Sequence, residues 1–172
     1  QITASKSLVV PNGIAELKLD LLSKNKVQVS AEQVKLTYIG NVGIAQELQI
    51  LLKLAQIKKN IKIIIVGDGA KLNELKKICL LKKISNVDFV GMVQEDQVIN
   101  YFVHTYILFA HIGQDYASAV PSKVFEYIAA GRKVLLGLPE NGVSQSIFSE
   151  FKGLKIFRSG DFEDMVSSFE EL

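Results

Sequence analysis

From residue 35 onward, short apolar runs alternate with longer segments whose apolar residues recur every three or four positions. The runs have the length and the branched residues of strands, and they lie at 35–39, 61–66, 87–90, 106–110, 134–138 and 154–157. The helical segments lie at 44–58, 71–83, 95–103, 121–131, 142–151 and 161–172. This alternation predicts an α/β domain with about six parallel strands and helices on both faces.

Apolar spacing also predicts which helical residues are buried. The first helix is expected to follow Gly43 directly and to bury a stripe that includes Ile44, Leu48 and Leu51. Cys79 shares an apolar helical face with Leu72 and is expected to be a buried thiol.

Residues 1–34 have the least regular pattern of the chain. A short strand at 7–10, a turn at Pro11-Asn12-Gly13 and a short helix at 16–25 are predicted there. We interpret 1–34 as an N-terminal arm, the remnant of an interdomain linker, and 35–172 as the folded domain. Because the chain starts at Gln1, we expect it to be a fragment of a longer protein.

The helix at 121–131 has recognisable signals at both ends. Pro121 suits a first helical turn, because its missing N–H would be unpaired there, and Gly131 suits a left-handed stop. Glu126 lies among apolar residues such as Val124 and Ile128. A carboxylate in that setting needs a partner, which is either a basic side chain or backbone amide of the protein or a hydroxyl group of a ligand.

Composition and charge narrow the class of protein. The 172 residues are 48% hydrophobic and carry a net charge of +2 from interleaved acidic and basic residues, which gives no case for nucleic acid. A single cysteine excludes an internal disulfide. Without an apolar run of membrane length or a signal peptide, we expect a soluble, cytoplasmic chain.

Lysines recur along the helix at 71–83 and are expected to lie mostly outside the core. Such a run usually forms a solvated face, and a weak contact with an anionic membrane is the alternative. The lysines are Lys71, Lys76, Lys77, Lys82 and Lys83.

The strand pattern also indicates where a ligand would bind. Open parallel sheets bind ligands beyond the carboxyl ends of their strands, where the strand order reverses. In the order 3-2-1-4-5-6 the loops at that point are 40–43 and 111–120. Two helix N-termini would then meet at one cleft, and Lys123 would add a positive charge, so we expect a phosphate or diphosphate ligand.

Other chemistry is sparse. The 40–43 loop is neither a dinucleotide fingerprint nor a Walker A loop. Asp68, between two glycines, is first a turn former. His111, at the end of the fourth strand, is either functional or structural. No metal cluster or activated nucleophile is evident in the sequence, which indicates a domain that binds rather than reacts.

Four stretches together resemble the C-terminal half of glycosyltransferase family 4, enzymes of the GT-B fold with two Rossmann-like domains. They are residues 38–43, 66–69, 90–91 and the helix at 121–131. The similarity covers about residues 8–157, and residues 10–13 look like the junction with an N-terminal domain. The helix string is most similar to the branch acting in bacterial surface-polysaccharide synthesis.

The resemblance implies a site for a nucleotide-sugar donor. The glutamate matching Glu126 binds ribose hydroxyls, Met92 and Val93 flank the base, and the first loop with Ser122 and Lys123 lies by the diphosphate. The candidate donor-binding residues are Gly40, Asn41, Gly43, Gly67, Asp68, Met92, Val93, His111, Ser122, Lys123 and Glu126.

Two positions depart from the family pattern. Many members have a second glutamate near the sugar where this chain has Ser118, and an arginine near the phosphates where it has Asn41. The identity of the sugar and the diphosphate contacts therefore stay open, as do the catalytic residues.

The sequence thus predicts the donor-binding domain of a UDP-sugar glycosyltransferase. The whole enzyme would transfer a hexose or amino sugar to a lipid-linked or saccharide acceptor, without metal or cofactor, and would contact the inner face of the plasma membrane peripherally. The acceptor-binding N-terminal domain is not in this chain, so the chain alone is expected to be inactive. The alternatives are a nucleotide-sugar 2-epimerase and a non-catalytic nucleotide-binding or protein-interaction module.

Overall fold

A computed structural model of the protein describes residues 34–172. The predicted arm at 1–34 lies outside these residues except for Val34, which begins the first strand. The strands are β1 Val34–Ile39, β2 Ile61–Val66, β3 Val87–Gly91, β4 Ile107–His111, β5 Lys133–Leu138 and β6 Leu154–Arg158. The helices are α1 Gln49–Ile57, α2 Leu72–Leu81, α3 Glu95–Val103, α4 Lys123–Ala129, α5 Ser144–Phe148 and α6 Phe162–Glu170, with a 3-10 turn at Gln114–Tyr116.

The six strands form one parallel sheet in the order β3-β2-β1-β4-β5-β6. This confirms the predicted fold class and strand order. In the centre of the sheet, Leu36 of β1 lies opposite Ile63 of β2 and Ile107 of β4. Because the order reverses between β1 and β4, the loops that follow these two strands leave the sheet side by side.

Helices cover both faces of the sheet, as the uninterrupted apolar strands predict. Helices α1, α2 and α6 pack on one face around Leu36, Ile63 and Phe109. Helices α3, α4 and α5 pack on the other around Leu108 and Val134. Cys79 is 8% exposed within the first cluster, which confirms the buried thiol. Within residues 34–172, no helix combines the length and apolar character needed to cross a bilayer.

The prediction of a helix starting directly after Gly43 is wrong, because α1 begins only at Gln49. Residues 44–48 form turns instead, and Glu47 has a left-handed φ of 41° that interrupts the helical path. As a result Ile44 is 64% exposed rather than part of the buried stripe, whereas Leu48 and Leu51 are buried.

The helix predicted at 142–151 is also shorter in the structure, where α5 spans Ser144–Phe148. The backbone N–H of Val143 donates to the carbonyl of Ala117 at 3.0 Å, so this end of the segment is held in a turn against the loop after β4. Such a bond to a distant residue cannot be read from local spacing.

Asn86 connects the start of the sheet to α1. Its buried amide Nδ2 donates to the carbonyl oxygens of Ala55, Lys58 and Ile61 at 3.0–3.1 Å. Its own carbonyl oxygen Oδ1 has no hydrogen-bond partner among the described residues. The two N–H groups of one side chain are therefore shared among three backbone acceptors at the end of α1 and the start of β2.

This arrangement predicts that Asn86→Asp is more destabilising than Asn86→Ala. Alanine leaves the carbonyls without their donor, at a cost of about 1–3 kcal/mol. A carboxylate cannot donate either, and it would also face the three carbonyl oxygens with a negative charge. Urea unfolding of both variants at pH 7 measures the difference, with Asn73→Ala on the exposed side of α2 as the control. Equal losses in the two Asn86 variants would contradict this account.

Candidate functional site

A cleft opens at the carboxyl ends of β1 and β4, at the predicted position. It has two halves that share Ile39, Gly40 and Asn41. The half toward β3 is further lined by Val66, Gly67, Asp68, Met92, Val93 and Val98. The half toward β4 is further lined by Tyr38, Gln46, Ala110, His111, Ile112, Val120, Pro121, Ser122, Lys123 and Tyr127.

The cleft brings together nine of the eleven candidate residues. Those on its walls are Gly40, Asn41, Gly67, Asp68, Met92, Val93, His111, Ser122 and Lys123. The structure does not place Gly43 or Glu126 on the lining. Gly43 is held within the first loop by a hydrogen bond from its N–H to Oε1 of Gln46 at 3.2 Å.

The floor of the cleft is made by two backbones in very close approach. The N–H of Gly40 donates to the backbone carbonyl of Val66 at 3.0 Å, and the N–H of Val42 donates to the backbone carbonyl of Asp68 at 2.8 Å. A Cβ atom on Gly67 would lie 1.9 Å from the carbonyl oxygen of Gly40, and its φ of 133° favours glycine as well. This glycine is therefore required by the packing of one loop on the other. In the same turn, a carboxylate oxygen of Asp68 accepts a hydrogen bond from Gly69 N–H at 2.7 Å.

Two buried tyrosines hold the first loop from below. The hydroxyl of Tyr38 donates to the carbonyl of Asn41 at 2.6 Å, and that of Tyr127 donates to the carbonyl of Ile39 at 3.0 Å. Burial raises the pKa of both phenols, so they remain neutral donors. Sequence analysis missed both roles. The only signal for Tyr127 is its place three residues after Val124, on the same helical face.

His111 is a buried cross-link in the wall of the cleft rather than an exposed binding residue. Its Nδ1 lies 3.0 Å from the carbonyl of Gln46 and its Nε2 lies 3.0 Å from the hydroxyl of Ser159. Because the carbonyl can only accept, Nδ1 carries the proton and Ser159 donates to Nε2. The ring also stacks against Phe109 and Phe157. The structure thus favours the structural alternative for this residue.

Burial keeps His111 neutral. The side chain is 2% exposed, and its removal from water lowers the pKa to about 4. Gly137 leaves room for the ring, since a Cβ there would lie 2.0 Å from its Cδ2. The histidine therefore ties the first loop, β4 and the turn after β6 into one unit.

Helix α4 carries the charged groups beside the cleft. It begins at Lys123, after a turn in which the carbonyl of Pro121 accepts from Val124 N–H, and Gly131 follows it with a left-handed φ of 65°. The ammonium of Lys123 lies 3.5 Å from the Glu126 carboxylate, and the two side chains are 40% and 20% exposed. Glu126 thus has a basic partner one turn away on its own helix.

The prediction of two helix N-termini meeting at the cleft is wrong for the first helix. Since α1 begins at Gln49, its N-terminus follows a turn that leaves Ile44 exposed. Of the two helices in that prediction, α4 is the one that begins beside the cleft, with Ser122 and Lys123 on the wall.

A neighbouring hollow holds an acidic residue that sequence analysis missed. Glu47 lines this hollow together with His111, Gly160, Lys53 and Lys71. Partial burial, and then the nearby Asp115, raises the pKa of the Glu47 carboxyl. The left-handed backbone that interrupts the helix also turns this side chain toward the loop after β4, where a Cβ on Gly113 would lie 2.6 Å from its Oε1.

Comparison with known proteins assigns the chain to a protein family. Residues 22–172 match the model described as "Glycosyl transferases group 1". Among curated proteins, none matches the sequence of this chain.

Several solved structures share the fold. The apo form of the lipopolysaccharide outer core galactosyltransferase WaaB is 16% identical with a TM-score of 0.66, over 84% of this chain and 41% of that one. HepE from Anabaena, in complex with UDP and glucose, is 16% identical with a TM-score of 0.66, over 92% and 43%. The C-terminal domain of the group 1 protein LpcC from Francisella tularensis is 12% identical with a TM-score of 0.63, over 92% and 83%.

The chain spans only part of the length of the full-length proteins among them. It spans less than half the length of WaaB and HepE but most of the isolated C-terminal domain of LpcC. At these identities the likeness establishes the fold, an α/β Rossmann-like domain of the kind found in GT-B glycosyltransferases.

The buried histidine predicts a specific loss of stability in acid. Because the folded pKa lies near 4 and the ordinary value is 6.5, His111 contributes fully above pH 6.5 and loses that contribution as the pH falls toward 4. The total is about 3 kcal/mol, since one pKa unit corresponds to about 1.4 kcal/mol. Urea unfolding of wild type and His111→Gln between pH 7 and 4.5 should show a shallower pH dependence in the variant.

The second histidine serves as the control for this measurement. His104 is exposed at the end of α3, so His104→Gln should follow the wild-type pH profile. Parallel profiles for wild type and His111→Gln would show that the buried ring does not resist protonation.

Proposed function

The chain belongs to the group 1 glycosyltransferases, and on that premise we propose that it is the nucleotide-sugar donor-binding domain of a family 4 enzyme with the GT-B fold. The observation that carries this proposal is the cleft at the reversal point of the sheet, with a glycine-lined floor and a Lys–Glu pair beside it. Its two halves give one donor molecule room for a nucleoside and for a diphosphate.

The half toward β3 is the proposed place for the nucleobase. Val66, Met92 and Val93 give it apolar walls, and Met92 is 82% exposed at the rim. An apolar slot with backbone polar groups suits a flat heterocycle. UDP is the proposed nucleotide because the resemblance to family 4 favours it and because the similar fold of HepE is seen with UDP.

The ribose and diphosphate are assigned to the two charged residues of α4. An ionised carboxylate only accepts hydrogen bonds, so Glu126 suits two vicinal hydroxyl groups. Lys123, which lies on the wall of the β4 half, suits the diphosphate. The ammonium of Lys123 lies 3.5 Å from the Glu126 carboxylate, and a bound donor would give each group a new partner.

In the proposed reaction the bond between the anomeric carbon and the diphosphate oxygen breaks, the anomeric carbon bonds to a hydroxyl oxygen of the acceptor, and the proton of that hydroxyl passes to the departing diphosphate. Negative charge develops on the departing diphosphate, and Lys123 would stabilise it. The acceptor site and the remaining catalytic groups belong to an N-terminal domain outside this chain. A role in bacterial surface-polysaccharide synthesis, at the cytoplasmic side of the membrane, is the setting that the motif string and the lipopolysaccharide enzyme WaaB favour.

The ribose assignment predicts a selective effect of Glu126→Gln. The variant keeps the shape of the side chain but loses the charge, so UDP affinity should fall by about 1.5–3 kcal/mol, or roughly ten-fold or more. Its preference for UDP over 2′-deoxy-UDP should shrink, because the deoxy analogue lacks one of the two hydroxyls. Calorimetric titration with both nucleotides measures this, with the exposed Glu150→Gln as the matched control.

The ligand-free stability of the same variant separates binding from folding. Since Lys123 is 40% exposed, the ion pair lost in Glu126→Gln should change the free energy of unfolding by less than about 1 kcal/mol. A large loss of stability with an unchanged ribose preference would make Glu126 a structural residue and refute the assignment.

The diphosphate assignment predicts that Lys123→Ala weakens UDP more than uridine. The ammonium would contact only the phosphates, so UDP affinity should fall by about 1.5–3 kcal/mol while uridine binding changes little. Both ligands are titrated into Lys123→Ala and into the control variant Lys59→Ala, which changes an exposed lysine after α1. Equal weakening of UDP and uridine would place Lys123 away from the diphosphate, and absence of any nucleotide binding by wild type would argue against the donor site itself.

A further inference from the structure

The end of α2 carries an exposed patch that the donor site does not use. The patch consists of Lys76, Lys77, Leu80, Leu81, Lys82 and Lys83, and we call it the lysine–leucine patch. We propose that it docks the domain on the surface of an anionic membrane. The proposal is independent of the nucleotide assignment, since none of these residues lines the cleft.

The two leucines project away from the core. Leu80 is 80% exposed and Leu81 is 71% exposed, whereas Leu75 and Cys79 on the other side of α2 are buried. The buried face of α2 therefore packs against the core without these two leucines. A pair of adjacent, almost fully exposed leucines has no role in the packing of the sheet, and it offers apolar area to an external surface.

The lysines give the patch a single sign of charge. Residues 76–85 contain no Asp or Glu. Among the described residues none of these four lysines forms an ion pair, whereas Lys71, at the other end of α2, pairs with Glu74 at 2.6 Å. The ammonium of Lys76 lies 5.9 Å from the ring centre of Phe89, on the edge strand β3.

These features fit a bilayer better than a folded partner. Leucines can enter the boundary between headgroups and acyl chains, while lysine stems reach up to keep their ammonium groups at the anionic headgroups. A lipid surface requires charge and apolar area but no rigid complementary shape. The patch consists of lysine and leucine side chains at the end of a helix, so it supplies charge and apolar area without a rigid shape.

The patch and the cleft lie at opposite edges of the sheet. Helix α2 starts after the turn that forms the cleft floor and runs antiparallel to the strands. Its last turn therefore lies near the amino-terminal ends of the strands. Its ten residues span about 15 Å. Docking through the patch would therefore leave the cleft unobstructed and open to a donor from solution.

The test is co-sedimentation of the 172-residue chain with lipid vesicles. Wild type should bind vesicles of phosphatidylcholine with 30% phosphatidylserine and not vesicles of phosphatidylcholine alone. Each lysine near such a surface contributes roughly five-fold in affinity, so Lys77→Gln/Lys82→Gln should bind roughly 25-fold more weakly. Leu80→Ser/Leu81→Ser should also weaken binding, although its net charge is unchanged.

The matched control is Lys59→Gln/Lys152→Gln, which removes the same two charges from exposed positions elsewhere. It should retain binding within about two-fold, and melting curves should show all variants folded. If Lys77→Gln/Lys82→Gln and Lys59→Gln/Lys152→Gln lost vesicle affinity equally, binding would depend only on the overall charge of the protein, and the proposal would be overturned. Failure of wild type to bind the anionic vesicles would overturn it. Dimerisation in sedimentation velocity that is lost in Leu80→Ser/Leu81→Ser, without vesicle binding, would overturn it in favour of a second copy.

Discussion

The close approach of two backbone turns at the carboxyl edge of the sheet is the constraint on which the candidate site depends. The carbonyl of Gly40 lies where any side chain on Gly67 would be. The N–H of Val42 donates to the backbone carbonyl of Asp68 between the same two turns. This contact brings the ends of β1 and β2 together and creates a floor without side chains. A ligand can then approach the backbone itself, which explains why the cleft lies here.

Long-range hydrogen bonds hold that floor in place before any ligand binds. Tyr127 reaches it from α4, and His111 connects its far end at Gln46 to Ser159 after β6. The side chain of Lys123 is partly exposed, whereas the carbonyls of Ile39 and Asn41 in the floor loop accept hydrogen bonds from buried tyrosines. A rigid floor lowers the entropy cost of binding, and a flexible cation can follow the charge of the diphosphate.

Local patterns were sufficient for the elements of this fold. The apolar runs predicted all six strands, and the order of a doubly wound sheet followed from their alternation with helices. Gly131 predicted the left-handed end of α4, and the spacing around Cys79 predicted a buried thiol. These features depend on residues within one or two turns of each other, so a single sequence contains the information.

The sequence by itself therefore determined the layers of the domain and the edge of the sheet at which the cleft opens. The tertiary structure alone decided where α1 begins, which partner His111 has at each nitrogen, and that Tyr127 rather than Glu126 faces the floor. Each of these outcomes depends on contacts between residues tens of positions apart in the chain. Hydrophobic periodicity reports only which side of an element is buried, and it contains no information about the atoms that meet there.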